Sequence, residues 1–164
     1  MVGDISDALN RIVDELDSDN RPEPESVLKI RKAFDEAFAK DADNDICPMK
    51  PQRIIRDVRK ALGRKDILIS DVGAHKMWIA RLYYCYEPNT CIISNGFATM
   101  GIGLPGAISA KLVHPERRIL TITGDGGFMM NSQELETAVR LKLNIVVLIM
   151  NDSSYGLIKW KQMD

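Results

Sequence analysis

The chain has 164 residues, 45% of them hydrophobic and 27% charged, with a formal net charge of -1. That size and composition suit one globular domain with an attached segment, and the near-neutral balance gives no electrostatic reason to expect a nucleic acid or an anionic membrane as partner. The apolar run Ile145 to Met150 is too short to cross a bilayer, and MVGDISDALN lacks the basic-then-apolar pattern of a signal peptide, so the expected location is cytoplasmic. Cys47, Cys85 and Cys91 form no C-x-x-C pair and read as free thiols rather than a disulfide framework or a structural zinc site.

In chain order, residues 4 to 40 carry apolar positions at helical spacing: Ile5, Leu9, Ile12, Val13 and Leu16, then Val27, Ile30, Ala33, Phe34 and Phe38. The charged, turn-rich DSDNRPEPES between them predicts two amphipathic helices joined by a loop. A second break, KDADNDICPMKP, precedes a helix expected to start near Pro51, where a missing N–H costs nothing, and to stop at Gly63. We place the domain boundary in this break: residues 1–50 form a helical tail and linker, and residues 51–164 the main domain.

From there short β-rich runs alternate with helical ones: Ile67 to Ser70, Cys91 to Ser94, Ile119 to Thr123 and Ile145 to Met150. Such alternation predicts an α/β fold, a three-layer doubly wound parallel sheet covered by helices on both faces. After the third strand, Asn131 followed by Glu134 resembles a capping box, which would turn Leu135, Ala138 and Val139 towards the sheet. Gly101-Ile-Gly103-Leu-Pro-Gly106 formally fits a dinucleotide fingerprint, but no strand leads into it and Pro105 stands in its middle, so it reads as a close-packed helix start. GLIKWKQMD begins another helix and stops there, so a sheet of four strands is expected to be incomplete at the C-terminus.

The strongest chemical signal is Gly124-Asp125-Gly126-Gly127 after the third strand, followed one crossover later by Asn151-Asp152-Ser153-Ser154-Tyr155-Gly156 after the fourth. Carboxylates delivered to the C-terminal edge of a parallel sheet by two of its strands can converge on one cation. Asp125 and Asp152 offer hard oxygens and Ser154 a backbone carbonyl, the donor type magnesium takes while phosphate oxygens fill its octahedron. Gly124, Gly126 and Gly127 permit close backbone approach, and the N–H groups of the following helix start can hold an anion. Alone, a Gly-Asp-Gly is more often a tight turn than a phosphate site, and Asn-Asp-Ser-Ser is turn chemistry; the specific feature is their pairing across a crossover.

The span GDGGFMMNSQELETAVRLKLNIVVLIMNDSSYG resembles the thiamine diphosphate motif, and DILISDVGAHKMWIARLYY with ISNGFATMGIGLPGAISAK is similar to the acetolactate synthase branch of that superfamily. The resemblance runs from about residue 47 to the end, and MVGDISDAL resembles the tail of the family's central domain. It implies a diphosphate-binding domain in which Asp125 and Asp152 bind Mg2+ through their side chains and Ser154 through its carbonyl. Asp152 replaces the second Asn of the usual pair, which keeps an oxygen ligand and is similar to catabolic acetolactate synthases. It also implies that Ala74 and His75 contact the diphosphate, that Gly124, Gly126, Gly127, Tyr155 and Gly156 contribute to the same cofactor site, that Met100 props the cofactor in a bent conformation, and that the Ala98 carbonyl accepts from its 4'-amino group. Read alone, His75 is as readily a surface or helix-capping histidine, and Met100 is more readily a core residue than a cofactor contact.

The implied activity is decarboxylation of pyruvate and its condensation with a second pyruvate to 2-acetolactate, with the hard chemistry carried by the cofactor. The activating glutamate belongs to a pyrimidine-binding domain that no segment here resembles, so no catalytic residue is expected in this chain and the chain alone is expected to be inactive. A truncated protein and a split subunit both fit, with truncation favoured because the end falls inside a recognisable domain. A homo-oligomer is the implied assembly, and FAD is left undecided. Anabolic members carry a tryptophan after the metal motif that favours 2-oxobutyrate; Trp160 stands one position early, with Lys161 in its place. The alternatives are another thiamine diphosphate-dependent 2-oxo acid decarboxylase, oxidase or carboligase, and a non-catalytic phosphate-binding module.

Overall fold

A computed structural model describes residues 4–16 and 22–163. The expected loop over residues 17–26 therefore lies partly outside the described residues, as do the first three residues of the helical tail and the last of the chain. The chain divides into two compact units, residues 1–36 and 37–164.

In the first unit, α1 (Ile5–Glu15) starts where the Asp4 carboxylate accepts from the N–H groups of Ser6 and Asp7 at 2.8 and 3.2 Å. Such a cap satisfies donors that the helix itself leaves free and contributes about 1 kcal/mol. The helix α2 (Glu25–Ala42) begins there too, with Arg31 donating to both oxygens of Glu23 at 2.8 Å.

The second unit is an α/β sandwich. α3 (Pro51–Ala61) starts at the proline, as expected, and is followed by β1 (Ile67–Ser70), α4 (Ala74–Leu82), β2 (Cys91–Ile93), α5 (Gly103–Val113), β3 (Ile119–Gly124), α6 (Asp125–Met130), α7 (Glu134–Arg140), β4 (Ile145–Met150) and α8 (Gly156–Met163). The four strands are parallel in the order β2-β1-β3-β4. Side chains of successive residues alternate across the sheet. Leu68, Leu120 and Ile122 accordingly pack with Ile55, Val58 and Ile79 of α3 and α4, while Ile67, Ile69 and Ile119 pack with Ala107 of α5 on the other face. Three layers result, and each large aliphatic side chain buried between them contributes roughly 1.5–3 kcal/mol.

The stretch after β3 differs from the expectation. Instead of one helix capped by Asn131, the chain makes α6, breaks, and makes α7 with Gln133 at its cap position. Asn131 is not free to cap: its Nδ2 donates to the Gly101 carbonyl at 2.8 Å, 30 residues away in sequence. The phase of α7 follows from Ala138, which is buried against Leu104 and Ile108; Val139, one position on and about 100° round the helix, is 76% exposed, and Leu135 is exposed as well.

Candidate functional site

The strand order creates one special place. From β1 the chain moves outward to β2 through α4, then passes back over β1 to β3 through α5, so connections leave β1 and β3 in opposite directions. At such a switch point the loops diverge and leave a crevice at the carboxyl ends of the strands. A cleft of about 580 Å³ lies at those ends. All of the expected site residues, Ala74, His75, Ala98, Met100, Gly124, Asp125, Gly126, Gly127, Asp152, Ser154, Tyr155 and Gly156, line it.

At the end of β1, the turn Asp71-Val72-Gly73 delivers His75 on the first turn of α4. His75 is buried, and its Nε2 has no hydrogen-bond partner. Burial holds its pKa below the ordinary histidine value, opposed by a hydrogen bond with the Asp71 backbone and by the charges of Asp71 and Asp152. An unpartnered polar nitrogen inside a cleft is a place for a ligand atom, because leaving it unmet costs desolvation energy.

At the end of β3, α6 starts directly at Asp125, and no side chain caps it at Gly124. The glycines that follow are there for space. A Cβ at position 126 would stand 2.6 Å from Cε1 of Tyr155, and one at 127 would stand 3.0 Å from Oγ1 of Thr123 and 3.2 Å from Oδ2 of Asp71. Strand pairing aligns Gly124 with Met150, so the chain leaves β3 at Asp125 and β4 at Asn151-Asp152 side by side at the same edge. Beyond β4, Asn151 Oδ1 accepts from Ser153 N at 2.9 Å and Asp152 Oδ1 from Ser154 N at 3.2 Å, turns that these side chains make with their own backbone. Among the described residues no group of three or more His, Cys, Asp or Glu side chains could hold a metal; the donor set available at this edge is two carboxylates with carbonyl oxygens, which suits a hard cation that shares its shell with a phosphate.

Two residues of the site escaped sequence reasoning. Asp71 is buried and ties three loops together, and Asn131 anchors Gly101 from the opposite side. For Asp71 the available signal was a carboxylate closely following the apolar run Ile67–Ile69. For Asn131 the local pattern pointed only to a helix cap.

This geometry is that of a diphosphate-binding domain, and comparison with known proteins agrees. Residues 71–164 match the family of thiamine pyrophosphate enzymes, in its C-terminal TPP binding domain, and the chain belongs to that family. It is 35% identical to an acetolactate synthase of Bacillus subtilis (strain 168) over 99% of this chain and 29% of that protein. It is 35% identical to a catabolic acetolactate synthase of Raoultella terrigena over 96% and 29%, and 42% identical to a putative thiamine pyrophosphate-containing protein, YdaP, of Bacillus subtilis over 75% and 21%. The chain thus spans less than a third of the length of these relatives. Among the described residues no helix is long and apolar enough to cross a membrane.

Proposed function

We propose that this chain is the part of an acetolactate synthase that holds thiamine diphosphate through Mg2+, with pyruvate as substrate. The observation that carries the reading is the pairing of Gly124 with Met150, from which Asp125 and Asp152 leave adjacent parallel strands at one edge. In this reading their carboxylates and the Ser154 carbonyl bind the cation. His75, buried and with Nε2 free of a partner, donates from Nε2–H to a diphosphate oxygen beside Ala74, in the protonated ring that an adjacent anion favours. The backbone at Gly124, Gly126, Gly127, Tyr155 and Gly156 approaches the same group. Met100 and the Ala98 carbonyl orient the pyrimidine end. When bound, the cofactor supplies the chemistry that decarboxylates a 2-oxo acid and passes the remaining fragment to a second carbonyl compound. The chain's own residues bind, orient and exclude water.

The reaction also needs a pyrimidine-binding domain or subunit carrying an acidic side chain. Phe97, next to Ala98, is fully exposed and Trp160 of the cleft is half exposed, apolar surface that suits a further protein layer at the mouth of the site. We place the protein in the cytoplasm and expect it to work as an oligomer. Calorimetry with thiamine diphosphate tests the binding claim: uptake that requires Mg2+ is expected, and binding indifferent to the metal overturns it in favour of a plain phosphate-binding module. Acetolactate formed from pyruvate only after a pyrimidine-binding chain is added is the expected activity. A different product from pyruvate would support another carboligase or decarboxylase, a second reading favoured by the 42% identical relative, whose description names only thiamine pyrophosphate.

A further inference from the structure

Asp71 stands at the switch point itself, at the end of β1 and beside the end of β3. It is 1% exposed, and its backbone N–H joins the Ile122 carbonyl at 2.9 Å. Its carboxylate accepts four hydrogen bonds from three segments of the chain. Oδ1 takes the N–H groups of Val72 at 2.6 Å and Gly101 at 2.9 Å; Oδ2 takes the N–H of Gly103 at 3.1 Å and the hydroxyl of Thr123 at 3.1 Å. A buried carboxylate requires such donors, and hydrogen bonds to a charged acceptor are the strong ones. The protein gives way around it: a Cβ at Gly103 would stand 3.0 Å from Oδ2, and one at Gly127 3.2 Å.

The donors decide what this carboxylate does. Val72 opens the turn to Ala74 and His75, Thr123 precedes Gly124 and Asp125, and Gly101 and Gly103 close the loop that carries Ala98 and Met100. That loop is conformationally costly, with Ala98 at φ +48° and Gly101 at φ +88°, and a non-glycine residue in the left-handed region persists only when its surroundings hold it there. Gly101 is gripped from both sides, its N–H by Asp71 and its carbonyl by Asn131 Nδ2 at 2.8 Å.

We infer that Asp71 is a positioning residue: its carboxylate sets the distance between the loop that holds the pyrimidine end of the cofactor, at Ala98 and Met100, and the strand ends that hold the diphosphate. This rests on the cofactor reading above and deepens it. A role confined to stability would weaken every ligand of the cleft alike. A positioning role weakens the ligand that spans both ends more than the ligand that occupies one.

The experiment measures, with this chain in Mg2+, the affinity of thiamine diphosphate and of inorganic diphosphate for the wild type, Asp71→Asn and Asp71→Ser, with circular dichroism to confirm the fold. Asn replaces an acceptor with a donor that faces backbone N–H groups; Ser keeps a small acceptor that cannot reach all three segments. The preference of the wild type for thiamine diphosphate over diphosphate is expected to fall by at least about tenfold in either variant, as loss of a hydrogen bond to a charged group would produce, while diphosphate affinity changes less. Equal losses for both ligands, no loss for either, or failure of both variants to reach the wild-type fold would overturn the inference and leave Asp71 a stabilising residue alone. A wild-type chain that binds neither ligand defeats the cofactor reading itself, and this inference with it.

Discussion

The ends of β1 and β4 open onto the same cleft but are built differently. At β1, the Asp71 carboxylate is buried and its bonds to Gly101, Gly103 and Thr123 reach across 30, 32 and 52 residues of sequence. At β4, Asn151, Asp152 and Ser153 are exposed, and the side chains of Asn151 and Asp152 accept from N–H groups two residues further on. Long-range bonds tie the β1 end to the cooperative core, so it moves only with the sheet; local bonds let the β4 end open at little cost. The difference teaches a division of labour: one side of the cleft is preformed, and the other is an arm whose geometry a bound cation would complete.

The largest effect should come from the side proposed to hold the cation. Asp125→Asn removes one of the two carboxylates at the shared edge, and since disturbing even an outer-shell partner of a metal costs 10- to 100-fold, Mg2+-dependent affinity for thiamine diphosphate should fall by about a hundredfold or more. Calorimetry reads the loss, while thermal stability stays near that of the wild type. Retained affinity would break the comparison by moving the cation elsewhere.

Next in size is a pair of glycine substitutions. In Gly103→Ala the new methyl meets Thr121 Oγ1 at 2.8 Å and Asp71 Oδ2 at 3.0 Å, all buried, and overpacking of this kind costs about 1–3 kcal/mol. In Gly126→Ala the methyl meets only the Tyr155 ring at the three closest distances, and that side chain is half exposed and can swing aside, so the change should stay within about 0.5 kcal/mol. Urea denaturation of both variants sharpens the contrast; the reverse order would abolish it.

A smaller effect is tied to pH. Burial lowers the pKa of His75 from the ordinary 6.5, so as pH falls below about 6.5 the unfolded chain binds the proton first. Stability contributed by the neutral ring is therefore complete above that pH and declines below it. His75→Gln should flatten the denaturation midpoint between neutral and mildly acidic pH; an unchanged slope would assign it to other groups. The smallest effect lies outside the cleft. Burial, together with the charge and hydrogen bond of Cys85, pushes the Cys91 thiol up to about 12, so iodoacetamide at pH 8 should label it more slowly than exposed Cys47.

Much of this was legible in the residues. Apolar, β-rich runs announced all four strands, and the structure keeps β1 and β4 at the expected ends, shortens β2 by Ser94 and lengthens β3 by Gly124. Pro51 announced α3 for a local reason, its missing N–H. The chain by itself also determined which polar clusters stand at the strand ends, because a parallel sheet built from alternating strands and helices sends every strand's carboxyl end to one edge. Only the tertiary structure decided that Asp71 would become the knot of that edge, that Asn131 would hold Gly101 instead of capping a helix, and that α7 would bury Ala138 while exposing Val139. Each of these depends on a partner some 30 or more residues away along the chain. Periodicity and capping report on neighbours within a turn or two, and the identity of a distant partner is set by how the layers pack.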